Sequence, residues 1–443
     1  MSIKVCKFGG TSMADGSTIK AVQKIIQSDA ERRYIVVSAP GKRYFGDIKV
    51  TDLLLACHEA LLREGTCING FAPVRARFIS IVKELNIHFD IVSILNETER
   101  RIDEERSKDF TASRGEYLCA RIVAEALGAK FIDSENVIFF KSCGSFDGDR
   151  SYKAIYSACS NCKLAVFPGF YGQGANGKVK TFSRGGSDIT GAIVARAVQA
   201  SLYENWTDVS GFFACDPAIV DSPKLIKKIS YNELHELSYM GASVVHGDSI
   251  FPVRQANIPI QIKNTFRPQD EGTSILPCSH YIPDINPVIG IAGKKNFTVI
   301  RVEKSLKIEE NRIIADVLAV MSRENVWVQH VPSGIDTLSL IIDKAQLNGD
   351  KLQGVVDGIK AEVSPDSIAI IKNVALISIV GLAMRSSVGT CARLFSALAA
   401  ANVNVKLINQ CSSETNIIVG VDDRDYEKCI RAIYSEFFNE FQI

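Results

Sequence analysis

The chain has 443 residues, 46% of them hydrophobic and 23% charged, the make-up of a globular protein of about three domains. Its 51 basic and 50 acidic side chains nearly cancel, and no basic stripe or tail stands out, which argues against nucleic acid or an anionic membrane as the main partner. Lys4 and Lys7 interrupt any signal-peptide core at once, and the apolar run from Ile368 to Met384 carries Lys372 and Asn373 and reads as strands, so a cytoplasmic protein without a membrane span is expected.

In chain order, Ile3, Val5 and Phe8 form a short β-prone run that ends in Gly9-Gly10. After Asp15-Gly16, Ser17 or Thr18 can cap a helix whose apolar face is Ile19, Val22, Ile25 and Ile26. Paired glycines let backbone N–H groups approach an anion, a helix start adds favourable potential, and Lys7 adds a point charge. This is a phosphate site in outline, or else an ordinary strand-to-helix turn with a surface lysine.

A second buried-type strand spans 34–40 and ends near Ser38, followed by a polar loop from Gly41 to Val50. Thr51-Asp52 then reads as the cap of a helix to about Arg63, and Phe71 to Asn86 as another helix. Ser113-Arg114-Gly115-Glu116 reads as the opening of a helix through Leu127 with Gly128 as its stop, which puts Glu116 in a first turn, where a carboxylate complements the helix dipole. Strands follow at 130–132, 137–140 and 164–167. Their alternation with helices predicts an α/β domain with a largely parallel sheet and helices on both faces.

The stretch 172–179 matches G-x-G-x-x-G and nearly matches a Walker loop, but both need a helix directly after the glycines. Val179-Lys180-Thr181-Phe182 alternates like a strand, and Asn176-Gly177 is a favoured type I′ turn, so a β-hairpin is predicted instead. Arg184-Gly185-Gly186-Ser187-Asp188 then opens an apolar helix. A capping loop would use Ser187 or Asp188 but has no need of two glycines and an arginine. A strand from Leu202 to Trp206 runs into Thr207-Asp208, with Phe213 and Asp216-Pro217 beyond. Helices near 231–240 and 242–251 and a strand near 258–262 close the domain at about residue 295.

Twelve cysteines are scattered; only Cys159 and Cys162 form a C-x-x-C pair, and no second pair or nearby histidine completes a zinc set. That pair follows a helical stretch, where a thioredoxin-like pair would open one, so ordinary reduced thiols are expected.

The last third is a repeat. Strands 297–302 and 374–379 match at an offset of 77 residues, which also aligns Ile300 with Ile377, Ala315 with Ala392, Asn325 with Asn402, Val326 with Val403 and Val328 with Val405.

Taken together, Lys7-Phe8-Gly9-Gly10-Thr11-Ser12, Val36-Val37-Ser38-Ala39, Arg184-Gly185-Gly186-Ser187-Asp188 and Thr207-Asp208 with Asp216-Pro217 resemble the signatures of the aspartokinases, which are amino-acid kinases. The resemblance extends through Tyr239-Met240-Gly241-Ala242 and Asn264-Thr265-Phe266, and the repeat resembles paired ACT domains. It implies an amino-acid-kinase-type sandwich over residues 1–295. Two ferredoxin-like α+β ACT domains would follow at 296–372 and 373–443, with strand exchange between them an option. It also implies ATP-dependent phosphorylation of the L-aspartate side chain, the first step toward lysine, threonine and methionine. Lys7 and Asp188 would be catalytic. Lys7, Gly9, Gly10, Thr207, Asp208 and Phe213 would hold ATP, which carries its own Mg²⁺. Ser38, Thr51, Glu116, Arg184 and Ser187 would hold aspartate, Arg184 at the α-carboxylate and Glu116 at the ammonium. Lys263 or Arg267 would approach the phosphates, while Ala218 stands where many members have an arginine. Ser387, Val388, Gly389 and Thr390 would help bind a feedback amino acid, lysine first and threonine second, in a homodimer or higher oligomer joined through the ACT domains. The rival readings are a sibling kinase acting on glutamate, acetylglutamate, carbamate or UMP, and a non-catalytic amino-acid sensor.

Overall fold

The structure, a computed structural model, describes residues 2–183, 185–241, 247–283, 285–305, 310–410 and 412–439. The chain folds into two compact units, one of Met1–Phe212, Leu225–Leu234 and Ser243–Ile282, the other of Phe213–Lys224, His235–Ala242 and Pro283–Ile443.

The first unit is built on an eight-stranded sheet in the order Lys228–Ser230, Thr273–Leu276, Ile260–Asn264, Leu202–Thr207, Lys4–Phe8, Arg32–Val37, Ala165–Pro168, Lys130–Phe131. Every neighbouring pair is parallel except Ile260–Asn264 with Thr273–Leu276. The central strands are buried on both faces, which is why they read as short continuous apolar runs. The first helix, Gly16–Gln27, buries the predicted face of Ile19, Val22, Ile25 and Ile26; its cap is Asp15, in a capping box with Thr18.

Several elements differ from the sequence reading. The helix carrying Glu116 begins at Ser107 and runs Lys108–Leu127, so Glu116 lies in its middle, far from the dipole's positive end. Ser107 is as good a cap as Ser113, and the intervening turn buries Phe110 and Thr111. A helix at Ile91–Glu105 is an addition to the sequence reading; its seven charged residues between Glu97 and Glu105 mask the buried Ile91, Leu95 and Ile102. Helix Val50–Glu64 starts at Lys49 without a side-chain cap, so Thr51 is free for other work. Residues 137–140 make only isolated bridges. The hairpin is present as Tyr171–Gln173 against Val179–Thr181. Its turn is Gly174 to Gly177, closed by a bond from the Gly177 N–H to the Gly174 carbonyl, with only Gly177 left-handed; this is a type I turn with a bulge, where type I′ was expected. Of the helix expected at 242–251, residues 242–246 fall outside the described residues, and Phe251–Gln255 is helical.

The second unit holds a five-stranded antiparallel sheet in the order Thr337–Asp343, Gly290–Glu303, Ser367–Val380, Asn416–Asp422, Leu407–Asn409. Its two long strands serve both repeats. Ile291, in the first half of Gly290–Glu303, packs with Ile377, Leu394 and Ile417; Ile368, at the start of Ser367–Val380, packs with Ile300, Val317 and Leu340. The 77-residue offset has a backbone cause. Asn325 and Asn402 both take left-handed φ after a helix, at 52° and 51°, and Asn296 and Asn373 do so within the paired strands, at 70° and 58°. Asparagine tolerates that conformation better than other side chains apart from glycine.

Candidate active site

The site lies where the parallel strands end. From Phe8 the chain enters Gly9-Gly10, from Val37 it enters Ser38, and from Trp206 it enters Thr207-Asp208, all at the carboxyl edge of one sheet, the usual ligand edge of such folds. Backbone bonds lace these ends together: the Gly9 N–H donates to the Trp206 carbonyl (3.0 Å), Ser38 to Phe8 (3.1 Å) and Thr265 to Thr207 (2.9 Å). The Thr11 hydroxyl donates to Asp208 Oδ2 at 3.1 Å, and Ser12 and Thr265 share a hydrogen bond of 2.8 Å. Thr207 and Asp208 therefore stand across from the glycine turn. The turn itself is pressed against Gly41, where a Cβ would come within 2.7 Å of the Gly10 carbonyl carbon.

A cavity of about 250 Å³ opens at this edge, lined by Lys7, Ser38, Thr51, Glu116, Ser187 and Asp188, with Phe170, Gly185 and Gly186. The first six and the two glycines of the Arg184–Asp188 motif were singled out in the sequence; Phe170 was not. Arg184 falls outside the described residues.

At one end of the cavity Lys7, only 8% exposed, makes an ion pair of 2.6 Å with Asp188. Asn205 is its register partner on the neighbouring strand and touches both charges. Asp188 is set by the first turn of helix Gly186–Ala197, whose Gly185 cap is left-handed at φ 57° and whose Asp188 carbonyl accepts from the Tyr203 hydroxyl at 3.0 Å. Gly186 has no room for a side chain, since a Cβ would lie 2.5 Å from Phe170 Cδ2. Phe170 itself has φ 80°, a costly conformation for an aromatic residue, held by a bond from its N–H to Thr190 Oγ1. Such strain at a cavity wall is the kind of feature that no sequence pattern announces.

Glu116 is 5% exposed, and among the described residues no donor reaches its Oε2. Burial pushes its carboxyl up to about 8, against the pull of backbone N–H groups at Ala39 and Glu116. A buried carboxylate oxygen without a partner, facing a cavity, is a site for a cation or donor that arrives from outside.

Two buried networks hold this frame. Arg77, 5% exposed, forks onto Asp47 at 2.9 and 2.8 Å and donates to the Gly41 carbonyl, while Arg43 bonds the same Asp47; together the two guanidiniums hold the Asp47 carboxyl well below its usual range. Arg77→Ala is expected to cost about 1–3 kcal/mol, because Asp47 keeps Arg43 but loses one buried charged partner and the Gly41 carbonyl loses its donor, and calorimetric unfolding checks it. Beneath the sheet, Glu204 accepts from Arg32 and from the Trp206 indole, and so fixes the strand that delivers Thr207.

The remaining expected residues are not among the lining of this cavity. Phe213, in the second unit, is partly exposed, and Ala218 is exposed in the turn after Asp216-Pro217. The Lys263 ammonium donates to the Asp270 carbonyl, whereas Arg267 is exposed. Ser387 and Thr390 flank the exposed Val388 and Gly389, and Gly389, at φ 90°, opens helix Thr390–Ala400. Among the described residues no set of three His, Cys, Asp or Glu side chains stands close enough to hold a metal ion, and no helix is long and apolar enough to cross a membrane.

Comparison with known proteins adds to this geometry. The amino acid kinase family matches residues 2–264, and the ACT domain matches residues 377–437. The chain is 38% identical to Aspartokinase 3 of Bacillus subtilis, over 98% of this chain and 99% of that one. It is 47% identical to the aspartate kinase of Clostridium acetobutylicum, with a TM-score of 0.91 over 99% of this chain and 100% of that one. Escherichia coli aspartokinase III, in complex with aspartate and ADP, shares the fold at 24% identity and a TM-score of 0.78, over 98% and 100% of the two chains.

Proposed function

As the chain belongs to the aspartokinases, within the amino acid kinase family, we propose that it moves the γ-phosphoryl group of ATP onto the side-chain carboxylate of L-aspartate, giving 4-phospho-L-aspartate. The observation that carries this reading is the cavity that gathers the Lys7–Asp188 pair and the unpartnered Glu116 oxygen at the edge of the sheet.

The roles are those the family resemblance implies, and the charges suit them. Phosphoryl transfer to a carboxylate needs no general base, because the acceptor is already ionised at neutral pH. It needs crowded anions neutralised and the acceptor held in line. Lys7 and the backbone of the Gly9-Gly10 turn meet the phosphates, with Arg267 as the exposed cation that joins them. Thr207 and Asp208 border the nucleotide. Ser38, Thr51 and Ser187 hold the aspartate, Glu116 takes its ammonium and Arg184 its α-carboxylate. An aspartate side-chain oxygen bonds to the γ-phosphorus as the bond to the β,γ-bridging oxygen breaks, ADP leaves, and no proton changes hands. A Mg²⁺ ion carried on the nucleotide would neutralise phosphate charge when bound.

The test is ADP release measured with aspartate, glutamate, acetylglutamate, carbamate and UMP as acceptors. Turnover with aspartate alone is expected; turnover with another acceptor makes the chain a sibling kinase, and none makes it a sensor. Arg184→Lys is expected to raise the aspartate KM about tenfold or more while leaving the ATP KM unchanged, because an ammonium cannot match a carboxylate bidentately. Steady-state kinetics in both substrates check it.

We read residues 1–295 as the catalytic domain and 296–372 and 373–443 as regulatory ACT domains of a cytoplasmic homo-oligomer. The loop at Ser387, Val388, Gly389 and Thr390, beside a helix start, is the candidate carboxylate site for a feedback amino acid, lysine before threonine. Titrating each amino acid at sub-saturating aspartate is expected to show inhibition by lysine. If neither inhibits nor binds, the repeats are assembly modules.

A further inference from the structure

Asn205 sits in the middle of a central strand of the sheet, 3% exposed, with Lys7 and Ile262 as its register partners on the two neighbouring strands. Asparagine is a poor strand former, and a buried amide is costly unless its polar atoms are paired. Its two atoms are paired with the two charges of the site. Lys7 Nζ donates to Asn205 Oδ1 at 3.3 Å, and Asn205 Nδ2 donates to Asp188 Oδ1 at 3.0 Å. Turning the amide over would set its NH₂ against the ammonium and its oxygen against the carboxylate, so the network admits one orientation only.

Resting on the function proposed above, we infer that Asn205 is a positioning residue for phosphoryl transfer. Lys7 and Asp188 are 2.6 Å apart in a buried pair. If Lys7 is to face incoming phosphates, that pair must loosen. A side chain that accepts from the one and donates to the other keeps both groups in place as it does. An amide offers both bonds, on two separate atoms, without adding charge. Aspartate at 205 keeps the acceptor but sets a second carboxylate beside Asp188, and leucine keeps the shape but loses both bonds.

Three variants test this in the full-length enzyme by ADP release, with thermal unfolding alongside: N205L, N205D and N205S. All three are expected to lower kcat at least tenfold, N205D the most, with both KM values within about threefold of wild type and Tm within a few degrees. A residue that merely fills space would give the opposite pattern, since leucine in an apolar strand would leave kcat intact. N205S removes the amide without bulk, so the reading survives if N205L fails to fold. A folded N205L or N205S with kcat within twofold of wild type overturns the inference, as does a loss carried wholly by KM. Wild type run beside them separates the two readings: a wild type inactive on aspartate overturns the proposed substrate and this inference with it, while an active wild type matched by N205L overturns this inference alone.

Discussion

Lys7→Ala is expected to lower kcat by at least a hundredfold while the protein stays folded. A preorganised cation at a dry site stabilises developing phosphoryl charge far more than it would in water, and loss of one such group commonly costs that factor or more. Lys7 is buried, sits at the mouth of the glycine turn and faces the cavity through Asp188. Its removal leaves Asp188 with the Asn205 amide as a donor, so collapse of the fold is not expected. Steady-state ADP release and calorimetric unfolding on the same preparation check both halves. A folded variant with near-wild-type turnover would place the phosphates elsewhere.

What the sequence made legible about this site was its backbone. Glycine pairs after short apolar runs are visible because glycine marks places where the chain approaches something closely, and Gly10 and Gly186 each proved to be such a place. The strand-and-helix alternation was legible for the same kind of reason, as was the 77-residue repeat, where asparagines with left-handed backbones recur in register. Side chains whose meaning lies across the sheet were not legible. Asn205 gains its role from Lys7, 198 residues away, and nothing local marks it. Phe170 is strained because helix Gly186–Ala197 packs beneath it. The sequence points to Glu116 but does not show its surroundings. Placed in a first helical turn it is an ordinary dipole partner, whereas in the middle of Lys108–Leu127 it is a buried carboxyl with an idle oxygen.

That correction changes what Glu116 is expected to do with pH. Its ordinary value is 4.5, and burial raises it to about 8 in the folded chain. Between those two values the folded protein holds a proton that the unfolded chain has lost, so this residue makes stability fall as pH rises from about 4.5 to about 8. Glu116→Gln removes that slope and is expected to raise Tm at pH 8 and above, with little change near pH 4. Activity should move the other way. The substrate ammonium needs the carboxylate, so kcat/KM for aspartate is expected to rise about tenfold per pH unit up to about pH 8 and then level off. In Glu116→Gln that rise is lost, and kcat/KM at pH 8 falls on the order of a hundredfold, mostly through KM, as expected for a buried charge pair deprived of one partner. Aspartate binding to the wild type at pH 7 must also expel the Glu116 proton, so titration calorimetry in buffers of different ionisation enthalpy should register release of close to one proton. The same titration on Glu116→Gln should register none, and release that is equal in the two proteins would move the ammonium site away from Glu116.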